Sequence, residues 1–123
     1  MVAFGLTLSA EEHAPRDLVH IAALADDVGF DFVSISDHYH PWLDAQGHSP
    51  FVWSVLGAIG ERVRCKIAVG VTCPIMRVHP AVLAQAAATT ALLHGDRFVW
   101  GVGTGEALNE HILAQRWPPA PRR

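Results

Sequence analysis

Cysteine is scarce in this 123-residue chain: there are two, Cys65 and Cys73, in or beside one apolar stretch. They form neither a disulfide framework nor a CxxC pair, which fits a reduced, cytoplasmic setting. Charge of one sign is lacking too. The formal net charge is −3, the basic residues are scattered, and the terminal Arg122-Arg123 pair is too short to be a patch. Neither a nucleic-acid partner nor a membrane-facing basic surface is expected from such a balance. No apolar run reaches the roughly 20 residues of a membrane span. The first residues, Met1 to Leu8, have no basic n-region and no long apolar h-region, so no signal peptide is expected. There is no internal repeat beyond a strand–helix unit, and no low-complexity segment apart from a Pro-rich end.

What is present is apolar: half of the residues are hydrophobic, enough for one compact domain. Short apolar runs alternate with longer helical ones. Ala3–Leu8 reads as a first strand. Pro15 to Val28 follows as a helix, with Leu18, Val19, Ile21, Ala22, Ala25 and Val28 at helical spacing. Pro15 suits its first turn and Gly29 its stop. Phe32–Ser36 reads as a second strand, and a polar loop runs from Asp37 to Ser49. Pro50 to Glu61 reads as a helix and Lys66–Thr72 as a third strand. Pro80 to Leu93 is an alanine-rich, well-patterned helix. Arg97–Val102 is a fourth strand, followed by the loop Gly103 to Glu106 and a fourth helix, Ala107 to Gln115. The tail Trp117 to Arg123 is read as irregular.

Four strand–helix units imply a parallel α/β sheet, because parallel strands need helical crossovers. The strands read as apolar on both faces, as buried parallel strands are. A doubly wound open sheet and half of a (β/α)8 barrel both satisfy this pattern. Both bind ligands at the C-terminal ends of the strands, and there the polar and glycine-rich clusters collect.

Each cluster has a chemical and a structural reading. Asp37-His38 sets a carboxylate beside an imidazole that can move a proton near neutral pH; alternatively the pair is an ordinary turn. His38 and His40 lack the further ligands that a metal needs, and no HExxH occurs, so no metal site is expected. The other histidines read as surface or helix-packing residues. Trp42 either walls a ring-binding pocket or covers the sheet edge. Gly70-Val71-Thr72-Cys73-Pro74 ends the third strand with a glycine that permits unusual backbone. Cys73 has no paired base in sequence and reads as a small wall residue. Gly101-Val102-Gly103-Thr104-Gly105-Glu106 is a poor dinucleotide fingerprint: it follows the fourth strand and ends in Glu106, which would repel phosphate. It reads as a tight turn that presents Glu106 as a proton donor or acceptor, or as a helix whose first turn carries an acid.

Taken in order and spacing, Ser36-Asp37-His38-Tyr39-His40-Pro41-Trp42, Gly70 to Pro74, Arg77 to Gln85 and Gly101 to Glu110 resemble one family. It is the coenzyme F420-dependent glucose-6-phosphate dehydrogenase group of the luciferase-like oxidoreductases. The resemblance runs from the first strand to Arg116-Trp117-Pro118-Pro119. It implies a (β/α)8 barrel, of which this chain would be the N-terminal half, about four βα units. A barrel domain would span residues 1–116, with residues 117–123 as a tail.

The resemblance also implies roles. His38 would be the base that takes the substrate hydroxyl proton, Glu106 an acid, and Trp42 a neighbour of the reacting carbon. Asp37, Gly70, Val71, Cys73, Gly103, Thr104, Gly105 and Asn109 would bind the cofactor. Gly70-Val71 matches a bulge with a cis peptide. Cys73 stands where the glucose-6-phosphate enzymes have a threonine. The implied reaction is hydride transfer from an alcohol or sugar phosphate to F420. FMN-dependent oxygenation is the alternative within the family, and a non-catalytic, self-associating half-barrel is the alternative outside catalysis. Partners would be a small-molecule substrate and a second copy. Family members run to over twice this length, so the end of the chain reads as a truncation or frameshift.

Overall fold

The computed structural model describes residues 1–123. Strands β1 (Gly5–Leu8), β2 (Phe32–Ile35), β3 (Lys66–Thr72) and β4 (Phe98–Val102) alternate with helices α1 (Pro15–Asp27), α2 (Val52–Gly60), α3 (Pro80–His94) and α4 (Ala107–Glu110). The strands form one parallel sheet in the order β1-β2-β3-β4. Four consecutive βα units with their strands in sequential order are the arrangement of the first half of a (β/α)8 barrel.

Register builds the core. Leu6, Val33, Ile67 and Phe98 form one row across the sheet, and Leu8, Ile35, Val69 and Trp100 form the next on the same face. Side chains alternate along a strand, so this face meets the helices. Leu18, Ala22 and Ala25 of α1 and Val52, Leu56 and Ile59 of α2 pack on it in one cluster. Burying a Val, Leu or Ile side chain contributes about 1.5–3 kcal/mol. The opposite face carries Thr7, Ser34, Ala68 and Val99 in one row, and the Thr7 and Ser34 hydroxyls bond at 2.8 Å.

Helix ends follow local chemistry. Pro15 and Pro80 occupy first turns, where a missing N–H costs nothing. The His79 imidazole accepts from the Ala81 amide at 3.1 Å and caps α3. Gly29, at φ 95°, carries the chain out of α1. His94 is buried at the end of α3, with Nε2 on the Leu56 carbonyl at 3.1 Å. Its ring lies where a Cβ on Gly60 would stand.

Several expectations need correction. The fourth helix is four residues long, followed by a 3-10 turn at His111–Leu113, and does not reach Gln115. Ala114 adopts a left-handed φ of 54°, which ends helical bonding. The tail is not wholly irregular: Ala120–Arg122 makes a 3-10 turn, and the Arg123 guanidinium sits 3.7 Å from the Trp117 ring centre. Helix α2 starts at Val52, because Phe51 is extended. Strand β2 ends at Ile35, which leaves Ser36 free to bond side chains. The strands are not apolar and buried on both faces: burial alternates along them, and the face with Thr7, Ser34, Ala68 and Val99 is the less covered one. Helix α3 is apolar around its circumference, with Val82, Leu92 and Leu93 exposed.

Candidate active site at the C-terminal mouth of the sheet

All four strands deliver a loop to the same end of the sheet. There a cleft of about 260 Å³ is lined by Asp37 and His38 after β2, Val71 and Cys73 from β3, and Gly103, Thr104, Gly105, Glu106, Asn109 and Glu110 after β4. Nine of the eleven residues singled out in the sequence therefore share one cavity. The other two lie at its border. Gly70 is joined to Val71 by a cis peptide, at a bulge between Val69 and Thr72. Trp42 is largely exposed, and its ring meets the His38 imidazole edge-on, with centres 5.5 Å apart.

His38 is held from both sides. Its Nδ1 lies 2.6 Å from Glu11 Oε1, and its Nε2 lies 3.5 Å from Glu106 Oε1. Glu11 is buried at the exit of β1, and its other oxygen accepts from Ser9 at 3.1 Å and from Ser36 at 2.9 Å. Burial alone would raise the Glu11 carboxyl. Hydrogen bonds from Ser36, its own backbone amide and His38 outweigh that and hold it below the ordinary carboxylate range. An ionised Glu11 can only accept, so Nδ1 carries a proton, and Nε2 is the ring nitrogen turned to the cleft.

Asn109 ties the two mouth loops together. Its carbonyl accepts from the amides of Tyr39 and His40 at 2.6 and 2.8 Å, and its amide donates to Glu106 Oε1 at 2.6 Å. Asp37 is deeply buried and accepts from Thr72 at 2.7 Å and from Arg77 at 3.0 Å. Glycines keep β3 and β4 in close contact beneath the cleft. A Cβ on Gly103 would stand 2.5 Å from Val71 Cγ2, and one on Gly105 would stand 2.6 Å from Cys73 Sγ. Cys73 lies in this floor with its thiol pushed up to about 11 by burial and by the charge of Glu110. It is a neutral wall residue near neutral pH.

Sequence reasoning did not assign roles to Glu11, Arg77 or Glu110. A signal existed for Glu11: Ser9-Ala10-Glu11-Glu12 is a polar cluster directly after the first strand, where the other mouth residues also sit. No group of three or more His, Cys, Asp or Glu side chains is placed to hold a metal ion. No helix is long and apolar enough to cross a membrane.

Known proteins are similar to this chain in sequence and architecture. The family model described as luciferase-like monooxygenase matches residues 1–123. An F420-dependent glucose-6-phosphate dehydrogenase of Microbacterium testaceum is 46% identical over 121 residues, which is 98% of this chain and 36% of that protein. One from Kribbella flavida is 47% identical over 119 residues, covering 95% of this chain and 36% of that protein. The chain thus spans about a third of the length of the curated relatives it matches. A solved F420-dependent secondary alcohol dehydrogenase in complex with an F420–acetone adduct is 36% identical. It superposes with a TM-score of 0.91 over 98% of this chain and 38% of its own.

Proposed function

This chain belongs to the luciferase-like monooxygenase family, and from that premise we propose that it carries the acid–base half of an F420-dependent dehydrogenase acting on an alcohol or sugar-phosphate carbinol. The observation that carries the reading is the Glu11–His38–Glu106 line across the cleft, with contacts of 2.6 and 3.5 Å. The names of the relatives favour F420 over FMN and a CH–OH donor over oxygenation.

The residues present fit one wall of a ring-binding site. Val71 and the glycine backbone from Gly103 to Gly105 make a close-packed floor with no bulky side chain over it. The cleft's volume of about 260 Å³ lies just below the roughly 300–1,000 Å³ of complete ligand pockets. Gly70, Val71, Cys73, Gly103, Thr104, Gly105 and Asn109, with Asp37 buried among them, would hold the ring. When bound, F420 supplies a two-electron acceptor for the hydride of the carbinol carbon.

His38 Nε2 then takes the hydroxyl proton of the same carbinol. Glu11 keeps the ring in the accepting tautomer and stabilises the imidazolium that forms. Glu106, steadied by Asn109, is the second proton partner, next to Nε2. Trp42 orients the imidazole from its edge and screens it from water. A small-molecule substrate is part of the reading. So is a cytoplasmic setting, supported by two free thiols. A homodimer completes it, supported by the bare edges of β1 and β4 and the exposed apolar residues of α3.

The test is a fluorescence titration of F420 and FMN against this chain combined with the remaining segment of the Microbacterium testaceum relative. F420 binding is expected. His38→Ala should lower turnover by about 10²–10⁴-fold, the usual worth of a general base, with F420 affinity unchanged. Binding of FMN without F420 sinks the assignment.

A further inference from the structure

Beneath the cleft lies a buried cation that the reaction described above does not use. The Arg77 side chain, in the loop after β3, is 7% exposed. One terminal nitrogen donates to the Asp37 carbonyl at 3.1 Å and to its Oδ1 at 3.0 Å, and the Nε, which has no hydrogen-bond partner, faces Glu110 Oε1 as an ion pair at 4.0 Å. Thr72, at the end of β3, holds the other Asp37 oxygen at 2.7 Å. One guanidinium therefore reaches the residue directly before His38 and the helix turn directly after Glu106 and Asn109. These are the two loops whose side chains face each other across the cleft.

We propose that Arg77 is a positioning residue that fixes the His38 loop against the Glu106–Glu110 turn, and so sets the Glu11–His38–Glu106 line. Planarity matters here. A planar guanidinium holds Asp37 through one terminal nitrogen and at the same time turns its Nε to Glu110, while an ammonium is a compact point charge without that rigid reach. Charge matters as well. Asp37 and Glu110 are both buried, and removing their shared cation would leave carboxylates uncompensated, which is strongly destabilising. A simple deletion would thus confound positioning with folding, whereas Arg77→Lys keeps the charge and removes the planar group.

The inference rests on the reading of His38 given above, and the readout is chosen to separate the two. In the unsubstituted chain the Glu11–His38 bond should appear as a low-field Nδ1 proton resonance, with the ring in the Nδ1-protonated tautomer by nitrogen NMR. In Arg77→Lys the circular dichroism should be unchanged, and that resonance should be lost or broadened beyond detection. Arg64→Met, which removes an exposed arginine, should leave it in place. A resonance kept in Arg77→Lys reduces Arg77 to a buried counter-charge and overturns the proposal. An Arg77→Lys chain that no longer folds assigns the residue to the core and overturns it as well. A resonance missing from the unsubstituted chain fells the His38 reading and this one together, whereas one present there and kept in Arg77→Lys fells only this one.

Discussion

The centre of the sheet and its fourth unit follow the same strand–helix order with different outcomes. Strands β2 and β3 are paired on both sides, and Val33, Ile35, Ile67 and Val69 are at most 2% exposed. Strand β4 is paired on one side, and its Val99 and Val102 are 49% and 56% exposed. Helix α2 buries Val52, Trp53, Val55, Leu56, Ile59 and Gly60, while α4 stops after one turn. The mouth draws on both: Asp37 and His38 follow the central β2, while Glu106, Asn109 and the glycine floor follow β4. The well-packed centre fixes the His38 side of the cleft, and the edge unit sets the groups that face it on a shorter, less covered helix. Functional segments are commonly drawn from the less stable parts of a fold.

Truncation in the centre is the largest way to test this difference. Leu56→Ala removes a fully buried side chain and should cost about 2–5 kcal/mol by urea unfolding. Val99→Ala on the edge should stay within about 0.5 kcal/mol. If Val99→Ala costs as much as Leu56→Ala, the β4 edge is covered in solution and the contrast disappears. A smaller effect of the opposite kind is expected at Gly60. A methyl there overlaps the His94 ring, and the repacking should cost about 1–3 kcal/mol. Gly57→Ala, with open space around it, should not destabilise.

The same division explains what could be read from the sequence. The central strands and helices α1 and α3 carry their own punctuation: Pro15 and Gly29 at one, Pro80 and Gly95 at the other. Most of the cleft was legible because its residues directly follow strands. Helix α4 was not, because its apolar spacing continues past Glu110 while its backbone turns left-handed at Ala114; helix length there depends on tertiary cover that the pattern does not record. Glu11 was missed because it meets His38 across 27 residues of chain, and Arg77 meets Asp37 across 40. Such pairings follow from sheet order and strand register, which no local spacing encodes.

An intermediate effect is expected where centre and mouth join, at Glu11. Its folded pKa lies below the ordinary 4.5. The stability it contributes is therefore complete above about pH 4.5 and is lost as the pH falls through the lower folded value. Glu11→Gln can still hydrogen-bond, so at pH 7 it should cost about 1 kcal/mol. On the acid side its unfolding midpoint should fall less steeply with pH than that of the unsubstituted chain. Parallel acid profiles would mean that Glu11 is not ionised against His38, and the tautomer argument at the mouth would fail with it.

The smallest effect belongs to the face of the sheet that no helix covers. Thr7→Val deletes the 2.8 Å bond to the Ser34 hydroxyl and keeps the side-chain shape. Water can replace an exposed bond of this kind, so the change should be about 0.5 kcal/mol or less. The informative result is a larger one. A cost of about 2 kcal/mol is the mark of a buried, unreplaced polar partner, and it would show that the row Thr7, Ser34, Ala68 and Val99 is dry in solution. Since the helices already occupy the other face, only further strands or a second copy could dry this one. Measured beside Val99→Ala, the substitution tells whether edge and face are covered together, as closing a barrel requires, or whether the four-stranded sheet stands open.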